Sequence, residues 1–286
     1  MKIIDIIQSE KPTLSFEVFP PKTESALSSV EAAVFEIAKL NPSYMSVTYG
    51  AGGGTSAYTV SIARELKERG VTPLAHLSCV SSTKQRVREE LKAIKEAGVE
   101  NILALRGDIP AGAEHSPRDY HYATELIEDI KAYGDFCIGG ACYPEGHPDS
   151  ATWMDDLNFL KAKVDAGCDY LTTQMFFDND IFYNFMYRAR QKGIFVPVVP
   201  GIMPVTNAKS LKRTVALSGN SLPQRFYRIM DRFCNQPEAL KQAGIAYATE
   251  QIIDLFANGV KAVHVYSMNK PEVAKKIKEN LSEILC

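Results

Sequence analysis

The chain has no charge surplus of either sign, since 32 Lys and Arg stand against 34 Asp and Glu in 286 residues. That balance excludes the basic surface of nucleic-acid binders and anionic-membrane binders, and favours a small metabolite as partner. Long apolar runs are also missing. The N-terminal stretch MKIIDIIQSEKP holds only the five-residue core IIDII, with Asp5 inside it. This is too short for a signal peptide or a membrane span, so a cytoplasmic protein is expected. The cysteines Cys79, Cys137, Cys142, Cys168, Cys234 and Cys286 show no C-x-x-C and no paired zinc-ligand spacing. A disulfide framework and an iron–sulfur cluster are thereby excluded, and most of these thiols are expected to be reduced core residues. The glycine-rich VTYGAGGGTS, residues 47–56, matches neither G-x-G-x-x-G nor the P-loop spacing, and implies only a tight turn or a close backbone approach.

What the chain does have is a sustained alternation of strand-length apolar runs with longer helical stretches. The runs are Leu14–Phe19, Tyr44–Tyr49, Pro73–Cys79, Ile102–Arg106, Phe136–Tyr143, Tyr170–Phe176, Val196–Ile202 and Ala262–Met268, eight in all. Amphipathic segments such as TKQRVREELKAIKEAGV, MDDLNFLKAKVDAGC and GIAYATEQIIDLFANGV end in a glycine suited to a left-handed helix stop. Eight βα units with near-continuously apolar strands predict a parallel sheet buried on both faces. Eight is also the number that closes a (β/α)8 TIM barrel. The expected organisation is α/β, one barrel domain over residues 1–286, with a doubly wound open sheet as the competing architecture. Helical material within residues 206–258 predicts extra helices around the seventh unit.

In such a barrel the working face lies at the C-terminal ends of the strands. The polar residues falling there are Glu17, Thr48, Tyr49, His76, Arg106, Asp108, Tyr143, Glu145, His147, Gln174, His264 and Tyr266. Glu17 stands inside the apolar run SFEVFPP. It either points outward to pair with a helix cation, or points into the barrel mouth, where desolvation would hold it protonated as a general acid. ALRGDIP sets Arg106 and Asp108 two apart around Gly107. The pair suits an anion and a hydrogen-bond-donating ring, or else forms a local turn pair. His76, His147 and His264 each admit a structural reading as well as a functional one. No strand core carries a lysine, which argues against a Schiff-base aldolase.

The ordered motifs SFEVFPPK, SVTYGAGG, HLSC, ALRGD, YPEGHP, DYLTTQMFFD, VPGIMPV and VYSMN closely resemble the methylenetetrahydrofolate reductase family over residues 13–270. The resemblance implies a barrel with non-covalent FAD that reduces 5,10-methylenetetrahydrofolate to 5-methyltetrahydrofolate, in one-carbon metabolism and methionine biosynthesis. It assigns Glu17 as general acid and Asp108 as a second catalytic carboxylate between flavin and folate. Thr48, Tyr49, His76, Arg106, Gly107, Asp108, Tyr143, His147, Asp156 and Lys163 are implied flavin contacts. Glu17, Asp108, Gln174, Tyr266 and Lys270 are implied folate or nicotinamide contacts. Lys270 stands where some relatives carry Arg, so the charge is kept and the bidentate fork is lost.

NAD(P)H in ping-pong alternation with the folate is the implied electron source, with a ferredoxin-type or other partner-protein donor as the alternative. A homo-oligomer, no metal, no nucleic-acid or membrane partner and no C-terminal regulatory domain are also expected. Two other readings compete. One is a metal-dependent barrel lyase or hydrolase using His76, His147, His264, Glu17 and Asp108. The other is a non-catalytic barrel that binds a pterin or serves as a partner subunit.

Overall fold

A computed structural model describes residues 1–21, 23–49, 56–109, 118–208 and 219–286. Most of the glycine-rich stretch, residues 50–55, and part of the predicted insertion, residues 209–218, lie outside the described residues. The strands are β1 Thr13–Val18, β2 Met45–Val47, β3 Pro73–Ser78, β4 Asn101–Leu105, β5 Cys137–Cys142, β6 Tyr170–Thr173, β7 Val198–Val199, β8 Gly201–Ile202 and β9 Ala262–Tyr266. All pairings are parallel, in the order β7-β6-β5-β4-β3-β2-β1-β9-β8.

The ninth strand arises because the predicted seventh run is broken at Pro200. β7 pairs with β6 on one side and β8 pairs with β9 on the other. Proline has no N–H to give a neighbour, but its carbonyl still accepts from the His264 N–H at 2.9 Å. The two ends of the sheet are therefore consecutive pieces of one strand, and the sheet closes as the expected eight-membered barrel.

Outside the barrel run α1 Ile3–Ile7, α2 Leu27–Ala38, α3 Ser56–Glu68, α4 Lys84–Glu96, α5 Ala123–Tyr133, α6 Trp153–Asp165, α7 Asn179–Gln191, α8 Gln224–Phe233, α9 Pro237–Ala257 and α10 Pro271–Asn280. Local chemistry starts and stops them. Thr83, Thr152 and Asp178 cap α4, α6 and α7 by accepting from Arg86, Asp155 and Asp180 N–H groups. The predicted stops Gly98, Gly167 and Gly259 all take positive φ, at 69°, 123° and 85°. α8 is the extra helix of the seventh unit, and its Phe226 and Met230 are buried over Met175 and Phe177.

Odd-numbered positions of β1 face inward, while Leu14, Phe16 and Val18 join the helices in the main core. A second cluster fills the base of the barrel, where Tyr44, Leu74, Leu103, Cys137, Tyr170, Val199 and Ala262 meet Ile3 and Ile7 of α1. The IIDII stretch is thus a plug at the N-terminal end of the barrel, tied down by the Ile3 N–H donating to Asn101 Oδ1 at 2.8 Å. Four of the six cysteines are buried and all six are free, and no helix among the described residues is long and apolar enough to cross a membrane.

α9 approaches the chain after β8 so closely that a Cβ on Gly244 would stand 1.7 Å from the Val205 carbonyl oxygen. Backbone cannot yield as a side-chain tip can, so overpacking here is costly. Gly244→Ala is expected to lower stability by about 2 kcal/mol or more in denaturant titration. A variant as stable as the parent would show that α9 is not seated against this segment.

Candidate active site

The C-terminal rim is built in two parts. The first is a dry centre over the barrel axis. Glu17, near the end of β1, is mostly buried, and desolvation raises its carboxyl from 4.5 to about 8. It faces inward, so the alternative of an outward helix pair is set aside. His76 of β3 places Nε2 3.7 Å from Glu17 Oε2, and burial lowers this imidazole to about 3. The separation is that of an ion pair, but burial neutralises both partners, leaving a protonated acid beside a neutral ring. Tyr266 of β9 sits by Glu17 with its hydroxyl committed to the Thr173 carbonyl at 2.5 Å.

One layer deeper, His264 has Ser15 Oγ at 2.7 Å from Nδ1 and Ser46 Oγ at 3.0 Å from Nε2. The Ser15 hydroxyl also donates to the Val263 carbonyl. The ring therefore donates from Nδ1 to Ser15 and accepts at Nε2 from Ser46, which is a satisfied structural histidine. Tyr44 stacks on it at 5.7 Å.

The strand end that carries Glu17 is clamped. Ser267 donates to the Glu17 carbonyl at 2.6 Å, and Asn269 exchanges two hydrogen bonds with the Phe19 backbone at 3.0 and 2.9 Å. Met268 and Asn269 adopt left-handed φ values of 54° and 52° to make that turn. This gives the VYSMN stretch a structural purpose that sequence reasoning missed.

The second part is a cavity of about 660 Å³ beside the dry centre, bounded by the ends of β3, β4 and β5 and by α5 and α6. Of the predicted flavin contacts, Tyr49, Arg106, Gly107, Asp108, Tyr143, His147, Asp156 and Lys163 line it, whereas Thr48 and His76 do not. Glu17, Gln174, Tyr266 and Lys270 lie outside its wall as well. Arg106 Nη2 pairs with Asp149 Oδ2 at 2.7 Å, a residue that no sequence motif singles out. The Asp149 N–H donates to His147 Nδ1, which leaves the His147 proton on Nε2. Lys163 is half-buried and donates to the Ala141 carbonyl at 2.6 Å; burial lowers its pKa, and burial also raises that of Asp156. Tyr122 and Phe159, both exposed, stack at 6.1 Å on the cavity wall and are likewise absent from the sequence-based candidates. Their only signal is an aromatic on the exposed face of α6 and another just before α5.

Gln174 turns its side-chain carbonyl to the Met175 N–H at 3.0 Å, so it presents donors rather than the expected donor and acceptor. Lys270 donates to Thr206 Oγ1 at 2.6 Å. The ligand set of the metal-lyase reading does not assemble: among the described residues no three His, Cys, Asp or Glu groups gather where they could hold a metal ion.

A family model described as methylenetetrahydrofolate reductase matches residues 2–282. The chain belongs to the methylenetetrahydrofolate reductase family. Among curated relatives, "Methylenetetrahydrofolate reductase (NADH) 1" of Zea mays is 36% identical over 298 residues, covering 99% of this chain and 50% of the maize protein. "5,10-methylenetetrahydrofolate reductase" of Pectobacterium carotovorum is 36% identical over 265 residues, covering 92% of this chain and 88% of that protein. The chain thus spans about half the length of the plant reductases it matches. A solved structure from Clostridium thermocellum, of a protein described as binding two copies of 5-methyl-5,6,7,8-tetrahydrofolic acid, superposes with a TM-score of 0.71 at 16% identity. That match covers 98% of this chain and 99% of the other, and at this identity it speaks for the fold alone.

Because folding holds a proton on Glu17 that the unfolded chain releases above its ordinary value of 4.5, stability attributable to this group falls as pH rises from about 4.5 to about 8. Glu17→Gln lacks that dependence. Its stability relative to the parent is expected to increase across this window, by an amount bounded at roughly 5 kcal/mol. Denaturant titrations at several pH values check this, and a difference flat with pH would show an ordinary, solvated carboxylate.

Proposed function

We propose that this barrel reduces 5,10-methylenetetrahydrofolate to 5-methyltetrahydrofolate with FAD as cofactor and NAD(P)H as electron source, the nucleotide and the folate reacting in turn. The observation that carries the reading is a desolvated carboxyl, Glu17, at the mouth of the barrel, next to a donor-lined cavity. Family membership supports the substrate class.

The residues present fit a flavin dinucleotide. The cavity lies within the size range of cofactor sites. Its wall offers the cations Arg106 and Lys163 for a diphosphate, His147 Nε2–H and the Tyr143 hydroxyl for polar edges, and Asp156 as an acceptor for hydroxyl groups. The stacked Tyr122 and Phe159 add an apolar aromatic wall for a planar ring. When bound, FAD supplies the hydride.

The chain's own residues perform the rest. The one-carbon unit of the substrate bridges N5 and N10, and a bridged aminal accepts hydride poorly. Glu17 donates its proton to N10. The bond between the bridging carbon and N10 then breaks with its electron pair going to N10, which opens the ring to an N5 iminium cation that accepts hydride readily. In this reading Asp108, exposed at the cavity wall, supplies the second carboxylate, which favours the developing cation. Gln174 offers amide donors to the pterin, and Tyr266 closes the apolar side over Glu17. The catalytic unit in this reading is the single barrel over residues 1–286.

Glu17→Gln is expected to retain FAD and its reduction by NAD(P)H while slowing the folate half-reaction by about 10²–10⁴-fold. In the parent that half-reaction should hold steady at lower pH and fall as pH passes about 8, where the acid loses its proton. Stopped-flow measurement of each half-reaction tests both points, and undiminished folate reduction by the variant would remove Glu17 from the acid role. Reduction by a ferredoxin-type protein and by neither nucleotide would change the donor and leave the folate chemistry standing. Lys163→Ala should weaken FAD retention by tenfold or more, on the order of one lost charge-assisted contact. Titration of the apoprotein reads this directly, and unchanged affinity would place the diphosphate elsewhere.

A further inference from the structure

The geometry points to His76 as the positioning residue that orients the Glu17 proton and stabilises the carboxylate left behind. This inference rests on the acid role proposed for Glu17. The motif resemblance implies that His76 is a flavin contact; in the structure it lies in the dry centre with its Nε2 facing Glu17.

His76 is 5% exposed, and its buried Nε2 has no hydrogen-bond partner. A buried, unpaired ring nitrogen loses its water partner without replacement, so its placement calls for a partner. The facing polar atom is Glu17 Oε2 at 3.7 Å, which a small side-chain rotation brings within hydrogen-bond range. The alternatives are already committed. The Tyr266 hydroxyl donates to Thr173, and both nitrogens of His264 are engaged by serines. Among the described residues, no cation faces Glu17. The neighbouring titratable groups are His76 from β3 and Tyr266 from β9, with His264 a layer below, while the charges of Arg106, Asp156 and Lys163 act on Tyr143, His147 and one another in the adjoining cavity.

With its hydrogen on Nε2, neutral His76 donates to Glu17 Oε2. The carboxyl proton is then held on Oε1, free to be given to N10. Once it has gone, the same N–H faces a carboxylate, and the bond strengthens as a charge-assisted one. The histidine stays neutral throughout, so proton count balances with one proton leaving Glu17 and one arriving at N10. A buried acid with no such donor would hold its proton too tightly to be useful.

The test compares His76→Met, which removes the donor, with His76→Gln, whose amide can place an N–H near the Nε2 position. In the full chain loaded with FAD and reduced by dithionite, the folate half-reaction of His76→Met is expected to slow about tenfold or more at neutral pH. Its alkaline limb should move up by about one unit. His76→Gln should restore both toward the parent, and in a Glu17→Gln background His76→Met should have little further effect on this rate.

A second readout needs no flavin. The pH midpoint of the stability difference between the parent and Glu17→Gln should rise when both chains also carry His76→Met. Equal pH profiles for parent, His76→Met and His76→Gln overturn the inference, as does an additive loss in the double variant. A parent protein that fails to reduce the folate at all overturns the underlying reading, and this inference with it.

Discussion

Everything at the rim depends on the desolvation of one carboxyl group. Glu17 sits on an inward-facing position of β1, between β2 and β9, and meets the neutral imidazole of His76 from β3 and the committed Tyr266 hydroxyl from β9 rather than a cation. Burial without a counter-charge favours the neutral acid. The barrel maintains this state from below: His264 is satisfied by Ser15 and Ser46, Tyr44 stacks beneath it, and α1 plugs the base with Ile3 and Ile7. From above, the turn at Met268 and Asn269 pins the strand end to its neighbour. A group of ordinary acidity is thereby kept protonated to a higher pH, as the proposed ring opening needs.

The adjoining cavity has the opposite character. Arg106, Asp149, His147, Asp156 and Lys163 form a charged, hydrogen-bonded wall whose members fix one another's orientation. Separating a dry acid from a polar, charged cavity wall lets carboxyl environments differ within one rim. The dry centre hangs from strand ends, so its geometry is set by the barrel, whereas the cavity adds His147 and Asp149 from the loop after β5 and Asp156 and Lys163 from α6.

Much of this is legible in the residues. The period of the apolar runs and the glycine stops reveal the eight units, and the oddity of a glutamate within SFEVFPP points to an inward-facing, desolvated carboxyl. What stays hidden has physical reasons. The five residues of α1 are too few to show a helical period, so the plug reads as an undistinguished apolar core. Pro200 splits the seventh strand without altering its apolar character. Asp149 gains meaning only from a contact with Arg106, 43 residues away in the chain. Gln174 keeps its residue type but not its expected bonding, because its carbonyl turns to the next backbone N–H. The flavin-contact assignment of His76 comes from motif position, and the motif gives no sign that its ring also faces Glu17.

The most direct measurement is the infrared carbonyl stretch of a protonated carboxylic acid in the parent protein, followed against pH and compared with Glu17→Gln. A desolvated Glu17 gives a band present at pH 7, missing in the variant, that disappears with a midpoint near 8. A Glu17-dependent band already gone by about pH 5, as for a solvated glutamate, would contradict it.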